Sequence, residues 1–296
     1  MNNSKIALLI IYNHRFDRNI PVLNKIYEGR FSHIFHVVPF YDGNEENVIP
    51  VYESSYQFSG YISQAYTHLK GKGFTHYFIV ADDMIINPGI DEHNFWGRTG
   101  ISPDSCYISS LISFQTRMVN WERTTEALAY NIYGKGAEIS NIIPNTKEAV
   151  ERFKFHNLPT GNVPFKSVYR NIKQNKRLNI YEKLQLLKRK GRLTYPLVGG
   201  YSDIFLITAD VMDKFVLYCG AFAATGLFVE IAIPTAMVLA CKKIQFDKDI
   251  KLKQKALWSA NDYKILEKYN FSLTALNLDY PEETLFIHPI KLSKWK

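Results

Sequence analysis

The first third of the chain alternates between short apolar runs and segments with the apolar spacing of a helix. The apolar runs cover residues 5–13, 33–43, 47–53 and 76–83, and their Ile, Val and aromatic content predicts strands. The segments between them, residues 18–30 and 59–73, predict helices. Strands that alternate with helices over short connections predict an α/β protein with a mostly parallel central sheet.

Polar residues follow three of the predicted strands. Asn13 comes after the first strand, Asp42 after the second, and the pair Asp82–Asp83 after the strand that runs from Tyr77 to Ala81. Because the carboxyl ends of parallel strands meet at one edge of a sheet, we expect these side chains to surround one crevice.

The second half of the chain has a different pattern. Residues 87–140 are mixed, with a helix start near residue 96, and residues 194–208 read as a strand that Gly199 and Gly200 interrupt. Glycines inside a strand indicate a close approach to the backbone, here by a ligand. Two apolar helices, a helix at residues 261–270 and an apolar tail from residue 284 are expected to follow.

One apolar run is long enough to cross a bilayer. Residues 215–241 carry a single charge, Glu230, but Gly220, Gly226 and Pro234 interrupt the run. We therefore expect two buried core helices here rather than a membrane span, and the glutamate between apolar neighbours becomes a candidate for function.

Composition narrows the class of protein. A chain of 296 residues with 46% hydrophobic residues can bury a large core, which predicts a globular protein. Its three scattered cysteines, Cys106, Cys219 and Cys241, have the spacing of neither a disulfide framework nor a zinc site, which favours the reducing cytoplasm. The apolar run near the N-terminus has no small-residue cleavage site after it and predicts a first core strand, not a signal peptide.

Charge is concentrated in one segment. Residues 166–192 contain ten basic residues and one acid, Glu182, hence a net +9 in a chain whose total is +8. Apolar residues within the segment, at Leu178, Ile180, Leu184, Leu186 and Leu187, predict an amphipathic helix. A solvated helical face, contact with an anionic acceptor or membrane headgroups, and nucleic-acid binding remain open as explanations, and we favour the first two.

The aspartate pair needs a partner for its charge. Two carboxylates beside a buried strand are costly unless a cation, a basic side chain or a helix end stabilises them. Mg²⁺ and Mn²⁺ prefer oxygen ligands and leave coordination sites for substrate phosphates, so the pair is a candidate divalent-metal and diphosphate site. A helix cap or a surface turn is the simpler alternative.

Several stretches resemble the GT-A fold family of nucleotide-sugar glycosyltransferases. Residues 78–86, "FIVADDMII", resemble the family's DxD region, and "GGYSDIFLI" (199–207) and "LFVEIAIPTAM" (227–237) resemble its acceptor-side strand and helix. The resemblance implies that Asp83 binds a metal, Mn²⁺ or Mg²⁺, and that Asp82 lies near the ribose or sugar. Ala81 stands where a DxD motif has an acid, which leaves the metal requirement open.

The same family uses an Asp or Glu as the base when it transfers a sugar with inversion. Glu230 suits that role because burial raises the proton affinity of a carboxylate, and Pro234 predicts that a helix begins close to Glu230. The simpler reading of Glu230 is an acid that offsets a helix dipole. Asp203 is the rival candidate, either as the base or in binding a substrate hydroxyl; its simpler reading is a strand-end surface acid.

The tail "FIHPIK" resembles the family's C-terminal metal-binding stretch. His288 would be a further metal ligand and Lys291 would stabilise charge on the leaving diphosphate. After the first strand, where the family holds its nucleotide base, Asn13 would contact a pyrimidine edge and Arg15 a phosphate, while Asp42 would contact the base or the ribose. A packed or capping His288 and an ordinary turn at Asp42 are the alternatives.

The predicted architecture is a single GT-A-like domain with a mostly parallel central sheet, helices on its faces and a basic helical insertion. We divide it into a nucleotide-binding half (1–130), the basic insertion (131–195) and an acceptor and catalytic half (196–296). Its expected location is the cytoplasm or the inner face of the membrane.

The predicted function is transfer of a sugar from a nucleotide-diphosphate donor to a glycan or lipid-linked glycan acceptor in surface polysaccharide biosynthesis, with inversion favoured and retention open. The basic segment from Lys166 to Arg192 would contact the acceptor or the membrane surface, and no nucleic-acid partner is expected. A nucleotidyltransferase and a noncatalytic polyanion-binding or membrane-surface protein are the alternatives. The first loop contains no glycine to cradle a triphosphate, which counts against the nucleotidyltransferase.

Overall fold

A computed structural model of the protein describes residues 5–116, 121, 123–134, 136, 139 and 141–296. Residues 1–4, which precede the apolar run near the N-terminus, lie outside the described residues. So do several positions of the mixed region 87–140.

Seven strands form the central sheet: β1 (Ile6–Ile11), β2 (Ile34–Pro39), β3 (Val48–Val51), β4 (His76–Ala81), β6 (Cys106–Ile108), β7 (Ile204–Thr208) and β8 (Ile244–Gln245). Their order is β3-β2-β1-β4-β7-β6-β8. All neighbours are parallel except that β7 runs antiparallel to both β4 and β6. The expectation of an α/β protein with a mostly parallel central sheet is therefore confirmed.

Both faces of the central sheet are buried. In β1, Ala7, Leu9 and Ile11 belong to one apolar core, while Leu8 and Ile10 belong to the other. This explains why the strand is a continuous apolar run without the alternation of a half-exposed strand, because each face needs its own apolar row.

Helices and a second sheet cover the two faces. The helices are α1 (Asn19–Tyr27), α2 (Ser59–Leu69), α3 (Phe95–Thr99), α4 (Arg123–Ala129), α5 (Thr146–Phe155), α6 (Phe165–Gln174), α7 (Ile180–Lys188), α8 (Ala209–Ala224), α9 (Val229–Ala240), α10 (Ala260–Glu267) and α11 (Leu273–Leu278). Residues of α2, α8 and α9 form one core with the sheet, and residues of α1 and α3 form the other. The helices predicted at residues 18–30, 59–73 and 261–270 correspond to α1, α2 and α10.

The second sheet joins distant parts of the chain. It has the order β5-β10-β9 and consists of β5 (Ile85–Ile86), β9 (Lys253–Ala256) and β10 (Thr284–His288). β10 is antiparallel to β5, which starts two residues after Asp83. Leu285, Phe286 and Ile287 of β10 are buried in the core that also contains Leu8 of the central sheet.

The glycine pair predicted to interrupt a strand lies outside any strand. β7 begins at Ile204, and Gly199 forms only an isolated bridge with Ile112. A Cβ at Gly199 would lie 2.4 Å from the ring of Trp121, and one at Gly200 would lie 2.6 Å from the carbonyl oxygen of Ser110. The expected close approach to the backbone is therefore made by the protein itself, which corrects the expectation that a ligand makes it.

The apolar run at residues 215–241 divides between α8 and α9. The two helices pack on each other and on the sheet. Over the residues that the structure describes, no helix has both the length and the apolar composition needed to cross a bilayer.

The basic segment contains two short helices, α6 and α7, where one amphipathic helix was predicted. Within residues 131–195, the described positions include α5, α6 and α7 and no strand. Leu186 is buried and Leu178 and Leu187 pack against the core, but Ile180 and Leu184 are exposed. The apolar residues of the segment therefore divide between two faces, and only one face is explained by packing.

Candidate active site

The carboxyl edge of the central sheet brings three aspartates together. Asp82 and Asp83 follow β4, and the backbone N–H of Asp82 donates to Ile11 O at the end of β1 (2.9 Å). Because β7 runs in the opposite direction, its first residues lie at this same edge, and the Ala81 N–H donates to Asp203 O (2.9 Å). Asp203 precedes β7 and therefore faces the crevice beside the aspartate pair.

The second sheet adds His288 to this edge. Ile287 of β10 pairs with Ile85 of β5, and the Ile290 N–H donates to Asp83 O (2.6 Å). His288 Nε2 thereby lies 2.9 Å from Asp83 Oδ1 and 4.0 Å from Asp203 Oδ2. Two residues separated by 205 positions in the chain come into contact because β10 pairs with the strand that directly follows Asp83.

Tyr201 links His288 to Asp203. The Tyr201 hydroxyl lies 2.6 Å from His288 Nδ1, and burial, followed by the charges of Asp203 and Asp83, raises the pKa of this phenol. The phenol therefore keeps its single proton. Burial lowers the pKa of His288, but the contact with Asp83 and the charges of Asp83 and Asp203 outweigh it and raise that pKa, so the protonated ring is favoured beside these acids.

Sequence reasoning missed Tyr201. Residues two apart in an extended segment point to the same side, so a tyrosine two positions before a candidate aspartate was the available signal.

Asp83 and His288 form an ion pair when the ring is protonated, at a separation that two ligands on one metal ion also show. Asp83 Oδ1 is buried and accepts no well-aligned hydrogen bond from the described residues, although His288 Nε2 is only 2.9 Å away. Two ligands bound at about 2.1 Å and at a right angle lie about 3.0 Å apart. The oxygen and nitrogen donors also suit Mn²⁺ or Mg²⁺.

Over the part of the chain that the structure describes, no third protein ligand completes such a site. The described residues contain no group of three or more His, Cys, Asp or Glu side chains arranged to hold a metal ion. Mg²⁺ and similar ions are commonly held by one or two protein side chains with phosphate and water in the other positions. Asp83 and His288 could therefore supply only part of the coordination of such an ion, and the described residues do not form a closed structural metal site.

Asp82 is directed into the protein. Its side chain accepts a hydrogen bond from Asn19 Nδ2 (3.1 Å) and another from the Asn13 backbone, and the residue is only 4% exposed. Burial, followed by the neighbouring charge of Asp83, raises the pKa of Asp82 to about 7. Asp82 thus holds the loop between β1 and α1 against the end of β4, and Asn19 is a partner that the sequence did not indicate.

Glu230 lies in the first turn of α9, as the sequence predicted. Pro234 is further inside the helix than expected, because α9 begins at Val229 and the proline is its sixth residue. A proline has no N–H to give to the carbonyl four residues earlier, which here belongs to Glu230. That carbonyl instead accepts a hydrogen bond from Gly200 N–H (2.9 Å), which ties the start of α9 to the segment that carries Tyr201 and Asp203.

The carboxyl group of Glu230 has a perturbed proton affinity. Burial, with a further contribution from the charge of Asp203, raises the pKa of Glu230 to about 7, while Arg123 opposes and Glu126 adds to the shift. Asp203 also has a raised pKa, chiefly because of burial, and the positive charge of His288 opposes that shift. The acids beside the crevice therefore differ in environment, and Glu230 is poised to exchange a proton near neutral pH.

The residues predicted to bind the donor lie at the ends of β1 and β2. Asn13 is exposed, and Arg15 forms ion pairs with Asp17 (2.9 Å) and with Asp42. Arg15 and Asp42 are thus brought together, but in the described structure they contact each other. Arg15 also lines an open depression of about 590 Å³.

The remaining predicted site residue, Lys291, is exposed three residues beyond His288. The described structure gives its side chain no ion pair. Three other histidines, His36, His76 and His156, bond to protein groups away from this site.

Comparison of the chain with protein-family models, with curated proteins and with solved structures found no match in any of the three.

Proposed function

We propose that the protein is a glycosyltransferase of GT-A-like architecture that moves a sugar from a nucleoside-diphosphate donor to a glycan or lipid-linked glycan acceptor, with inversion, in surface polysaccharide biosynthesis. The observation that carries the proposal is the pairing of Asp83 with His288 at the carboxyl edge of the sheet, beside a glutamate whose pKa is about 7. The order of the seven strands, with one strand reversed in an otherwise parallel sheet, is compatible with this architecture.

Each residue has a defined part in this proposal. Asp83 and His288 would hold a divalent ion, which when bound neutralises charge on the donor diphosphate. Tyr201 fixes the His288 ring so that Nε2 remains available as a ligand. Lys291 stabilises the negative charge that develops on the departing diphosphate.

Glu230 acts as the base in the transfer step. Its ionised carboxylate accepts the proton of the acceptor hydroxyl while that oxygen forms a bond to the anomeric carbon. The bond between the anomeric carbon and the diphosphate oxygen breaks on the opposite side, and its electron pair leaves with the diphosphate. Arg123 keeps a fraction of Glu230 ionised by opposing the effect of burial.

Thermal unfolding with UDP, GDP, CDP and CMP, each with and without Mn²⁺, tests the donor site. A nucleotide at a hundred times its dissociation constant should add about 2.7 kcal/mol to the free energy of unfolding, which is a shift of several degrees. We expect one diphosphate to stabilise the wild type only with Mn²⁺, and Asp83→Ala to abolish the shift. Glu267→Ala, which removes an exposed carboxylate elsewhere, should keep it.

The same nucleotides then separate binding from catalysis. Glu230→Gln should retain the metal-dependent shift but lose transfer of the sugar, because the amide cannot accept the hydroxyl proton. If no nucleotide shifts the unfolding temperature of the wild type, the diphosphate-donor proposal is wrong. Normal transfer by Glu230→Gln would remove only the assignment of the base.

A further inference from the structure

Helix α6 presents aromatic and basic side chains on its outer face. Phe165 and Tyr169, one helical turn apart, are each 56% exposed, and Lys173 continues the same row one turn later. Lys166 and Arg170 are exposed beside this row, whereas Val168 and Ile172 on the opposite side are buried. The helix is therefore anchored by one apolar face and shows a second apolar row to solvent.

Helix α7 repeats this arrangement. Ile180 and Leu184 are 74% and 50% exposed, Lys188 follows them one turn later, and Tyr181 beside them is 67% exposed. Leu186 is the one residue of this helix that is fully buried. Exposed large apolar side chains are not expected on a helix whose only role is to be solvated.

The charge around these faces has one sign. The single acid of the segment, Glu182, accepts a hydrogen bond from the Asn179 backbone N–H (2.8 Å) in a capping box at the start of α7. That carboxylate lies on a different side of α7 from the row of Ile180, Leu184 and Lys188, because it is two positions from Ile180 and Leu184. Every charged residue in the two outer rows is therefore a cation.

The two helices are held as a pair. α6 and α7 pack against each other, and both pack against α4. Both outer rows thus lie on helices that the rest of the structure supports, and they do not depend on a free helix becoming ordered.

We propose that the outer faces of α6 and α7 dock on a bilayer surface that contains anionic lipid. Phe165, Tyr169, Ile180, Tyr181 and Leu184 insert between headgroups, and the surrounding lysines and arginines contact lipid phosphates. Aromatic and aliphatic side chains beside cations are the composition of interfacial helices, in which apolar burial and charge attraction act in the same direction. A soluble polyanion would use the cations but would leave the five apolar side chains in water, so lipid explains both parts of the surface.

Vesicle co-sedimentation tests this surface with the full chain. The probes are vesicles of phosphatidylcholine alone and vesicles that also contain phosphatidylglycerol. The apolar variant combines Phe165→Ser, Ile180→Ser and Leu184→Ser, and its control combines Leu217→Ser and Leu278→Ser, which are exposed elsewhere. The charge variant combines Lys166→Gln, Arg170→Gln and Lys173→Gln, and its control makes the same change at the exposed residues Lys25, Lys242 and Lys264.

We expect the wild type to sediment with the anionic vesicles and not with phosphatidylcholine alone. Each cation near an anionic surface contributes about five-fold to binding, so the charge variant should bind on the order of 100-fold more weakly. The apolar variant should also lose binding, and both control variants should bind as the wild type does. Unchanged thermal unfolding of all variants would show that the substitutions act on the surface alone.

Three results would overturn the proposal. The first is equal sedimentation with the two kinds of vesicle. The second is an equal loss of vesicle binding in the charge variant and in its charge-matched control, which would mean that net charge alone explains the binding. The third is full binding by the apolar variant, which would identify the surface as a site for a soluble polyanion. None of these results bears on the nucleotide experiments, so the two proposals fail separately.

Discussion

At the scale of single residues, the site is defined by acids in unequal surroundings. Glu230 and Asp82 both have a pKa raised to about 7, but Asp82 is closed in by Asn19 and the first loop, while Glu230 is partly exposed at a helix start. The same shift therefore has two meanings. In Asp82 it belongs to a carboxyl that holds a loop, and in Glu230 it belongs to a carboxyl that solvent can reach, as the proposed base requires.

The raised pKa of Glu230 predicts a pH dependence of stability. Between the unfolded pKa of about 4.5 and the folded pKa of about 7, the folded protein holds more protons than the unfolded one, so the free energy of unfolding falls as pH rises. Glu230→Gln lacks this penalty and should exceed the wild type by about 1–3 kcal/mol at pH 8. Urea unfolding from pH 5 to pH 8 should show the difference shrink towards pH 5. A constant difference would contradict the assigned shift.

At the scale of elements, the local parts of the fold could be predicted from sequence and the nonlocal parts could not. The strands β1 to β4 and the helices α1 and α2 follow from apolar periodicity, which depends only on neighbouring residues. The direction of β7 and the pairing of β10 with β5 depend on contacts between distant segments, which no local pattern encodes. The site residues were therefore found as separate candidates, while the contact of His288 with Asp83 and the link through Tyr201 needed the structure.

Gly200 lies where the segment before β7 meets the start of α9, and we expect this position not to tolerate a side chain. Gly200 gives its N–H to Glu230 O, and a Cβ at this position would lie 2.6 Å from Ser110 O and 3.3 Å from the ring of Pro234. Gly200→Ala should therefore lower the free energy of unfolding by about 1–3 kcal/mol, because the backbone must shift to relieve the contact between the new methyl group and Ser110 O. Gly97→Ala is the matched control, since this exposed position in α3 has no atom within 4 Å of the new methyl group. Urea denaturation should show that Gly97→Ala is at least as stable as the wild type. An equal loss of unfolding free energy in both variants would contradict the predicted contact at Gly200.

At the scale of the whole molecule, the two sheets share one apolar core. Phe78 of the central sheet and Phe286 of the second sheet belong to the same buried cluster, and Phe286 stacks on Tyr201 with ring centroids 6.0 Å apart. The second sheet is therefore part of the same packed body as the central sheet, and it supports the ring that orients His288.

This shared core predicts one unfolding transition for the two sheets. Phe286→Ala should lower the free energy of unfolding by about 3–5 kcal/mol because it leaves a cavity between them. Far-ultraviolet circular dichroism and tryptophan fluorescence should still give coincident urea curves for the variant. Phe271→Ala, which truncates a ring that is 56% exposed, should cost much less. Two separate transitions in the wild type would show that the sheets fold independently.

The pairing of β10 with β5 also sets the order in which the site can form during synthesis. A nascent chain that has emerged only as far as Asp203 already carries the carboxylates at the edge of the sheet, but it has no histidine to place beside Asp83. Closing a loop of about two hundred residues is slow relative to local folding, because its entropy must be lost before the contact forms. The contact between Asp83 and His288 therefore forms late in folding, and the partly synthesised protein carries the aspartates without the histidine ring that pairs with Asp83.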